Sequence, residues 1–302
     1  MKSLIPGRDL ARVKRLRLVT RRTVDGIHAG RHRSPRHGQS NEFKEHRGYT
    51  PGDELKTVDW KALAKHDRLF VRKYEQETDL RCHLLLDLSG SMGYGGERAI
   101  VDEDGRGLTK ADYARRLAAV LVHLTIEARD QMGLVVFDRR VRSTVPCRGG
   151  DRHLTPLMHA IATSDLGGET DLGRVLHEAA AQIPRRRMVL IVTDAADDPA
   201  TWDQPLTLLE TRGCDVVVFR VRDRDEVDFP LSGRWQFVDP EGRFADQVLD
   251  ADDVRRSYLR RVADHDAALR RVLQSRRVTM VDLTTDVAVG DAVADYLGGR
   301  AA

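Results

Sequence analysis

Three short stretches of this chain carry oxygen ligands at spacings that suit a metal ion. The first is Cys82-His83-Leu84-Leu85-Leu86-Asp87-Leu88-Ser89-Gly90-Ser91-Met92. Its apolar segment reads as a buried strand that ends in Asp-x-Ser-x-Ser, after which Gly93 and Gly95 turn the chain. One carboxylate and two hydroxyls therefore fall on a loop at the carboxyl end of a strand, where open α/β sheets bind ligands. Hard oxygen donors at this spacing suit Mg²⁺, which takes an octahedron of oxygens and usually keeps some waters. The second stretch is Gly167-Gly168-Glu169-Thr170-Asp171, a Gly-rich loop before a helix pattern. The third is Met188-Val189-Leu190-Ile191-Val192-Thr193-Asp194, another apolar strand ending in Asp. Alone, Asp-x-Ser-x-Ser equally fits a strand end capped by an Asx or Ser turn. The order of the three pieces favours one shared site, and clustered carboxylates repel one another unless a cation joins them.

The elements that must hold these loops are legible from periodicity. Thr109-x-x-Asp112 resembles a capping box, and Leu117, Leu121, Leu124 and Ala128 follow at helical spacing. Met132 to Phe137 and Val141 to Val145 read as a hairpin at a sheet edge. Leu154 to Ile161, Leu172 to Ile183 and Trp202 to Thr211 read as helices, and Cys214 to Val221 as a strand. A short strand is expected around Trp235 to Val238, then a long helix marked by Val254, Tyr258, Val262, Leu269 and Val272. Val278 to Leu283 is the last strand and Val287 to Leu297 the last helix. Residues 94–108 read as a flexible acidic loop beside the site. Strands alternating with helices predict an α/β fold, a mostly parallel sheet covered on both faces.

Composition sets outer limits. The chain has 302 residues, 32% of them charged and only 5% aromatic, so the core must rest on aliphatic side chains. Net charge is +3, but residues 1–47 hold 13 Lys and Arg against 4 Asp and Glu, or +9, which leaves −6 on the remaining 255. A basic arm on an acidic body suggests contact with nucleic acid, a membrane surface or an acidic partner, or a solvated or self-docking arm. Cys82, Cys147 and Cys214 are too few and too scattered for a disulfide framework or a zinc site. No leader pattern and no apolar run near the ~20 residues of a membrane span is visible, so the expectation is a cytoplasmic protein.

Residues 8–25 suggest a short basic amphipathic helix, and residues 26–41, with His28, His32 and His37, a loop. Between them and the first apolar strand lies a charged lead-in. It contains Phe43, Arg47-x-Tyr49-x-Pro51-Gly52-Asp53, Asp59-Trp60-Lys61, Ala64, Leu69, Val71 and Glu75-x-Glu77. Thr57 is placed to cap a short helix through Lys65, and Leu69 to Tyr74 alternates as a strand. The expected domains are a basic arm over 1–41, the lead-in over 42–80, and the main domain over 81–302.

The three oxygen-bearing stretches resemble the metal-ion-dependent adhesion site of von Willebrand factor A domains. The lead-in followed by the Asp-x-Ser-x-Ser strand resembles the bacterial and archaeal family called domain of unknown function 58. The resemblance implies a von Willebrand A-like, doubly wound sheet with an N-terminal charged extension. It implies Mg²⁺ (or Mn²⁺) held by Asp87, Ser89, Ser91, Thr170 and Asp194. Ser89 and Ser91 would ligate directly, Asp87 and Asp194 directly or through water, and Thr170 would be the ligand that moves between states. Where the family reads Gly-Gly-Thr, this chain has Gly-Gly-Glu-Thr-Asp, which lets Glu169 or Asp171 intrude. The implied partner is a MoxR-type AAA+ ATPase, the pair remodelling or maturing a client protein, with an acidic side chain completing the metal's coordination.

Two other function classes are weaker. A Mg²⁺-dependent phosphoryl-transfer enzyme of the haloacid dehalogenase type wants a second Asp two residues after Asp87, where Ser89 stands. There is no Gly-x-Ser-x-Gly elbow and no P-loop. Nucleic-acid binding through the basic arm would be nonspecific, since no recognition module is present. The chain reads as an interaction protein rather than an enzyme.

Overall fold

The structure is a computed structural model and describes residues 4–13, 41–48, 62, 69–76, 80–102, 104–239, 241–242 and 245–301. Contacts divide the chain into two units, residues 29–79 and residues 1–28 with 80–302. In the first unit, β1 (Asn41–Gly48) pairs antiparallel with β2 (Phe70–Gln76), with a bulge between Phe43 and Glu45. Of the expected helix from Thr57 to Lys65 only Ala62 is described, as helical; Asp53, Asp59 and residues 26–40 of the expected 26–41 loop lie outside the described residues, and Asn41 begins β1.

In the second unit, α1 (Gly7–Val13) comes first, followed by β3 (Arg81–Asp87), α2 (Lys110–Glu127), β4 (Gln131–Phe137) and β5 (Val141–Arg148). Next are α3 (Leu154–Thr163), α4 (Leu172–Gln182), β6 (Met188–Thr193), α5 (Asp203–Thr211) and β7 (Asp215–Arg222). A one-turn helix α6 (Arg224–Asp228) leads to the hairpin β8 (Arg234–Phe237) and β9 (Gln247–Asp250). The long helix α7 (Ala251–Ser275), strand β10 (Thr279–Thr284) and helix α8 (Val289–Ala301) complete it. Among the described residues, no helix is long and apolar enough to cross a membrane.

The sheet order is β10-β7-β6-β3-β4-β5, parallel except for the hairpin partner β5 at its edge. Period-two alternation divides the strands between two cores. Leu84, Leu86, Leu190, Val192, Val217 and Phe219 face one side with α2 and α8. Leu85, Val189, Ile191, Val216 and Val218 face the other with α4, α5 and α7. The fold is therefore the expected doubly wound α/β sheet with helices on both faces. Every residue of β6 is buried, as its unbroken apolar run requires of a strand covered on both sides.

One local expectation changes. The described residues of 94–108 are tied down rather than flexible: Gly96 and Glu97 donate backbone N–H groups to Asp223 and Asp225, and Ile100 N–H bonds Thr285 O at 2.8 Å. Gly95 is required here, since a Cβ would stand 2.9 Å from Leu108 O. Of the basic arm, the described helix α1 packs on the body, in line with the self-docking alternative. Asp9 in α1 is 2% exposed, and its Oδ1 accepts the Gly290 N–H in the first turn of α8 at 3.2 Å.

A candidate metal and docking site at the sheet switch point

The chain runs from β3 outward through β4 to β5, and from β6 outward through β7 to β10. The carboxyl ends of β3 and β6, adjacent strands from which the connections diverge, mark the topological switch point where doubly wound sheets bind ligands. Asp87 ends β3, Thr193 ends β6, and Asp194 follows directly.

Asp87 is fully buried. Its Oδ1 accepts the Ser89 N–H at 2.9 Å, and its Oδ2 accepts the Thr193 hydroxyl at 2.6 Å. Burial and then the neighbouring Asp194 charge push the Asp87 carboxyl up to about 7. The Ser89 and Ser91 hydroxyls stand 3.2 Å apart, and Ser91 lies near enough to the Asp194 carboxylate to favour its ionised form. Asp194 Oδ1 accepts the Ala196 N–H at 3.2 Å. Its Oδ2 accepts from Lys110 Nζ at 2.9 Å, and Lys110 Nζ also reaches Glu226 Oε1 at 2.7 Å. Burial opposes ionisation of Asp194, but Lys110 outweighs it and holds the carboxyl below its ordinary range. Burial likewise opposes the Lys110 charge, and Asp194 and Glu226 reverse that, so the ammonium stays protonated.

The Gly-rich loop is laced to this edge by its backbone. Gly90 N–H donates to Gly168 O at 2.8 Å, and Gly167 N–H to Leu88 O at 3.0 Å. Gly168 adopts φ +49°, the left-handed region that glycine enters without a Cβ penalty. Thr170 donates its hydroxyl to Glu241 Oε1 at 2.9 Å. Glu169 pairs with Arg139 at 3.1 Å, and Asp171 caps α4 by accepting the Arg174 N–H. Ala195, directly after Asp194, takes φ +54°, an uncommon left-handed conformation for a non-glycine residue that is fixed here by its N–H bond to Thr193 Oγ1.

Thus Asp87, Ser89, Ser91 and Asp194 converge, and Thr170 sits on a loop bonded to the same turn. Among the described residues, no group of three or more His, Cys, Asp or Glu converges to hold a metal. The donors that do converge are two hydroxyls and two carboxylates, hard oxygens of the kind Mg²⁺ takes. Sequence reasoning missed Lys110, Thr193, Glu226 and Glu241. The capping box at Thr109 was the one available signal for Lys110, because it puts that residue first in α2. A cavity of about 330 Å³ opens beside Lys110 and Asp194, walled further by Arg222, Glu226, Tyr258 and His265.

A family model described as "Protein of unknown function DUF58" matches residues 45–268. Uncharacterized proteins of Mycobacterium tuberculosis and Mycobacterium bovis are each 25% identical over 279 residues, covering 91% of this chain and 84% of theirs. Among solved structures, the conserved hypothetical protein BatB from Bacteroides thetaiotaomicron aligns over 74% of this chain and 98% of its own, at 13% identity and a TM-score of 0.49. The SpRpn10 VWA domain aligns over 71% and 94%, at 10% identity and a TM-score of 0.39.

Proposed function

We infer, from the premise that the chain belongs to the DUF58 family, that its switch-point edge is a metal-dependent docking site for another protein. The observation that carries this reading is the convergence of Asp87, Ser89, Ser91 and Asp194, hydroxyls and carboxylates, at the carboxyl ends of β3 and β6. Mg²⁺ or Mn²⁺ is held through Asp87, Ser89, Ser91, Thr170 and Asp194, and supplies an electrophilic centre for a carboxylate from the partner. In this reading the site performs recognition rather than bond-making. The partner is a MoxR-type AAA+ ATPase acting with this protein on a client, as the family resemblance implies. Seating the partner's acidic side chain draws on the Thr170 loop, and that loop is bonded through Gly168 to the turn carrying both serines. Binding and loop position are then coupled as two states of one element.

The test is an affinity capture from native lysate, in Mg²⁺ and in chelator, with wild type beside Asp87→Ala. The expected result is an AAA+ ATPase retained only by wild type in Mg²⁺. Retention regardless of metal would move the interface to the charged lead-in or the basic arm and overturn the reading.

A further inference from the structure

We propose that Lys110 is a resident cation of this site that a divalent metal must displace from Asp194, so that Lys110 sets the metal affinity. The inference rests on the metal-dependent reading above and adds its regulation. Lys110 is the first residue of α2, where the helix dipole disfavours a positive charge. Its side chain is only 3% exposed, so it has also given up most of its hydration. An ammonium is kept in so unfavourable a place by two carboxylates, Asp194 at 2.9 Å and Glu226 at 2.7 Å.

Both Asp194 oxygens are already engaged, Oδ1 by the Ala196 N–H and Oδ2 by Lys110. A metal drawing on Asp194 therefore meets an oxygen that an ammonium holds, and two cations on one buried carboxylate repel at short range. Mg²⁺ also demands a near-octahedral shell of oxygens, in which an ammonium has no place. The displaced side chain has a destination. Glu226 is already its second partner and is 28% exposed, and Lys110, Glu226 and Tyr258 together line the cavity of about 330 Å³. Without metal, Asp194 and Glu226 share one ammonium. With metal, Asp194 turns to the metal and Glu226 retains Lys110. The exchange leaves neither Asp194 nor Glu226 without a positive partner in either state, so the Lys110 pair itself does not oppose folding before any metal arrives.

The test compares Lys110→Met with wild type in Mg²⁺ titration by calorimetry and in Mn²⁺ titration by electron paramagnetic resonance. Removing the competing charge is expected to tighten binding on the order of tenfold or more. The melting temperature of Lys110→Met is expected to lie below wild type in chelator and to rise more than wild type on adding Mn²⁺. Equal affinities would overturn the exchange and leave the metal site standing, whereas absence of binding in both proteins would overturn both. Should Lys110→Met fail to fold, wild type answers alone through acylation of Lys110, read by peptide mass mapping. Labelling is expected to rise at saturating Mn²⁺, and unchanged labelling with Mn²⁺ bound would overturn the proposal.

Discussion

Thr193 is the residue on which the arrangement of the edge turns. Its single hydroxyl donates to Asp87 at 2.6 Å and accepts the Ala195 N–H at 3.0 Å, so it both orients the buried carboxylate and holds the left-handed turn after β6. Thr193→Val keeps the volume and removes both bonds. It is expected to cost about 1–3 kcal/mol, since a buried carboxylate loses the donor on one of its oxygens, and urea denaturation would measure it. His83 governs a different response. Burial and then Arg187 lower its value from the ordinary 6.5 to about 4, so it folds in the neutral form. The unfolded chain binds this proton more readily, and the associated stability is present above pH 6.5 and lost as pH falls toward 4. Wild type should therefore lose melting temperature over that window more steeply than His83→Gln. Parallel slopes would remove His83 from the account.

At the scale of elements, the start of α2 does more than begin a helix. Thr109 and Asp112 form a reciprocal capping box, and Lys110, next after the cap, is the first residue of the helix. Asp112→Ala is expected to cost about 1 kcal/mol through the lost cap. It should also loosen the hold on Lys110, read as faster amide exchange across the first turn of α2 and not its last. The hairpin of β8 and β9 matters for another reason. The chain between its strands carries Glu241 to the Thr170 hydroxyl, 71 residues away in sequence. The short helix α6 places Glu226 against Lys110, and its own capping box runs between Asp223 and Glu226. The sequence shows 222–249 as a mixed loop region with a short strand around Trp235 to Val238; helix α6 and strand β9 go unseen, because elements of four or five residues give periodicity little to register.

On the scale of the whole molecule, the described start of the chain packs on its last helix. Asp9 supplies an acceptor to the first turn of α8, where backbone N–H groups lack helical partners and negative charge is favoured. The approach is close enough that a Cβ on Gly290 would stand 2.7 Å from Asp9 Cα. Gly290→Ala is expected to separate α1 from α8, lowering stability by about 1–2 kcal/mol and exposing the N-terminal segment to limited proteolysis. An unchanged digestion pattern would show that the contact contributes little. The excess of positive charge over residues 1–47 thus includes a helix that docks on the body, with Arg12 paired to Asp291 at 3.0 Å.

The sequence by itself determined the order of the longer elements from β3 onward, the doubly wound sheet and the strand ends that carry Asp87 and Asp194. These follow from local causes. Unbroken apolar runs select strands covered on both faces, helical spacing selects the covering helices, and Asp-x-Ser-x-Ser can only follow the strand it ends. The partners of those carboxylates were decided by tertiary structure alone. Lys110 meets Asp194 across 84 residues and Glu226 across 116, and Thr193 meets Asp87 across 106. Which strands lie side by side, and which helix start crosses above them, fixes those meetings. A lysine after a helix cap reads as solvated in any sequence, and only the packed switch point makes this one a buried counter-charge.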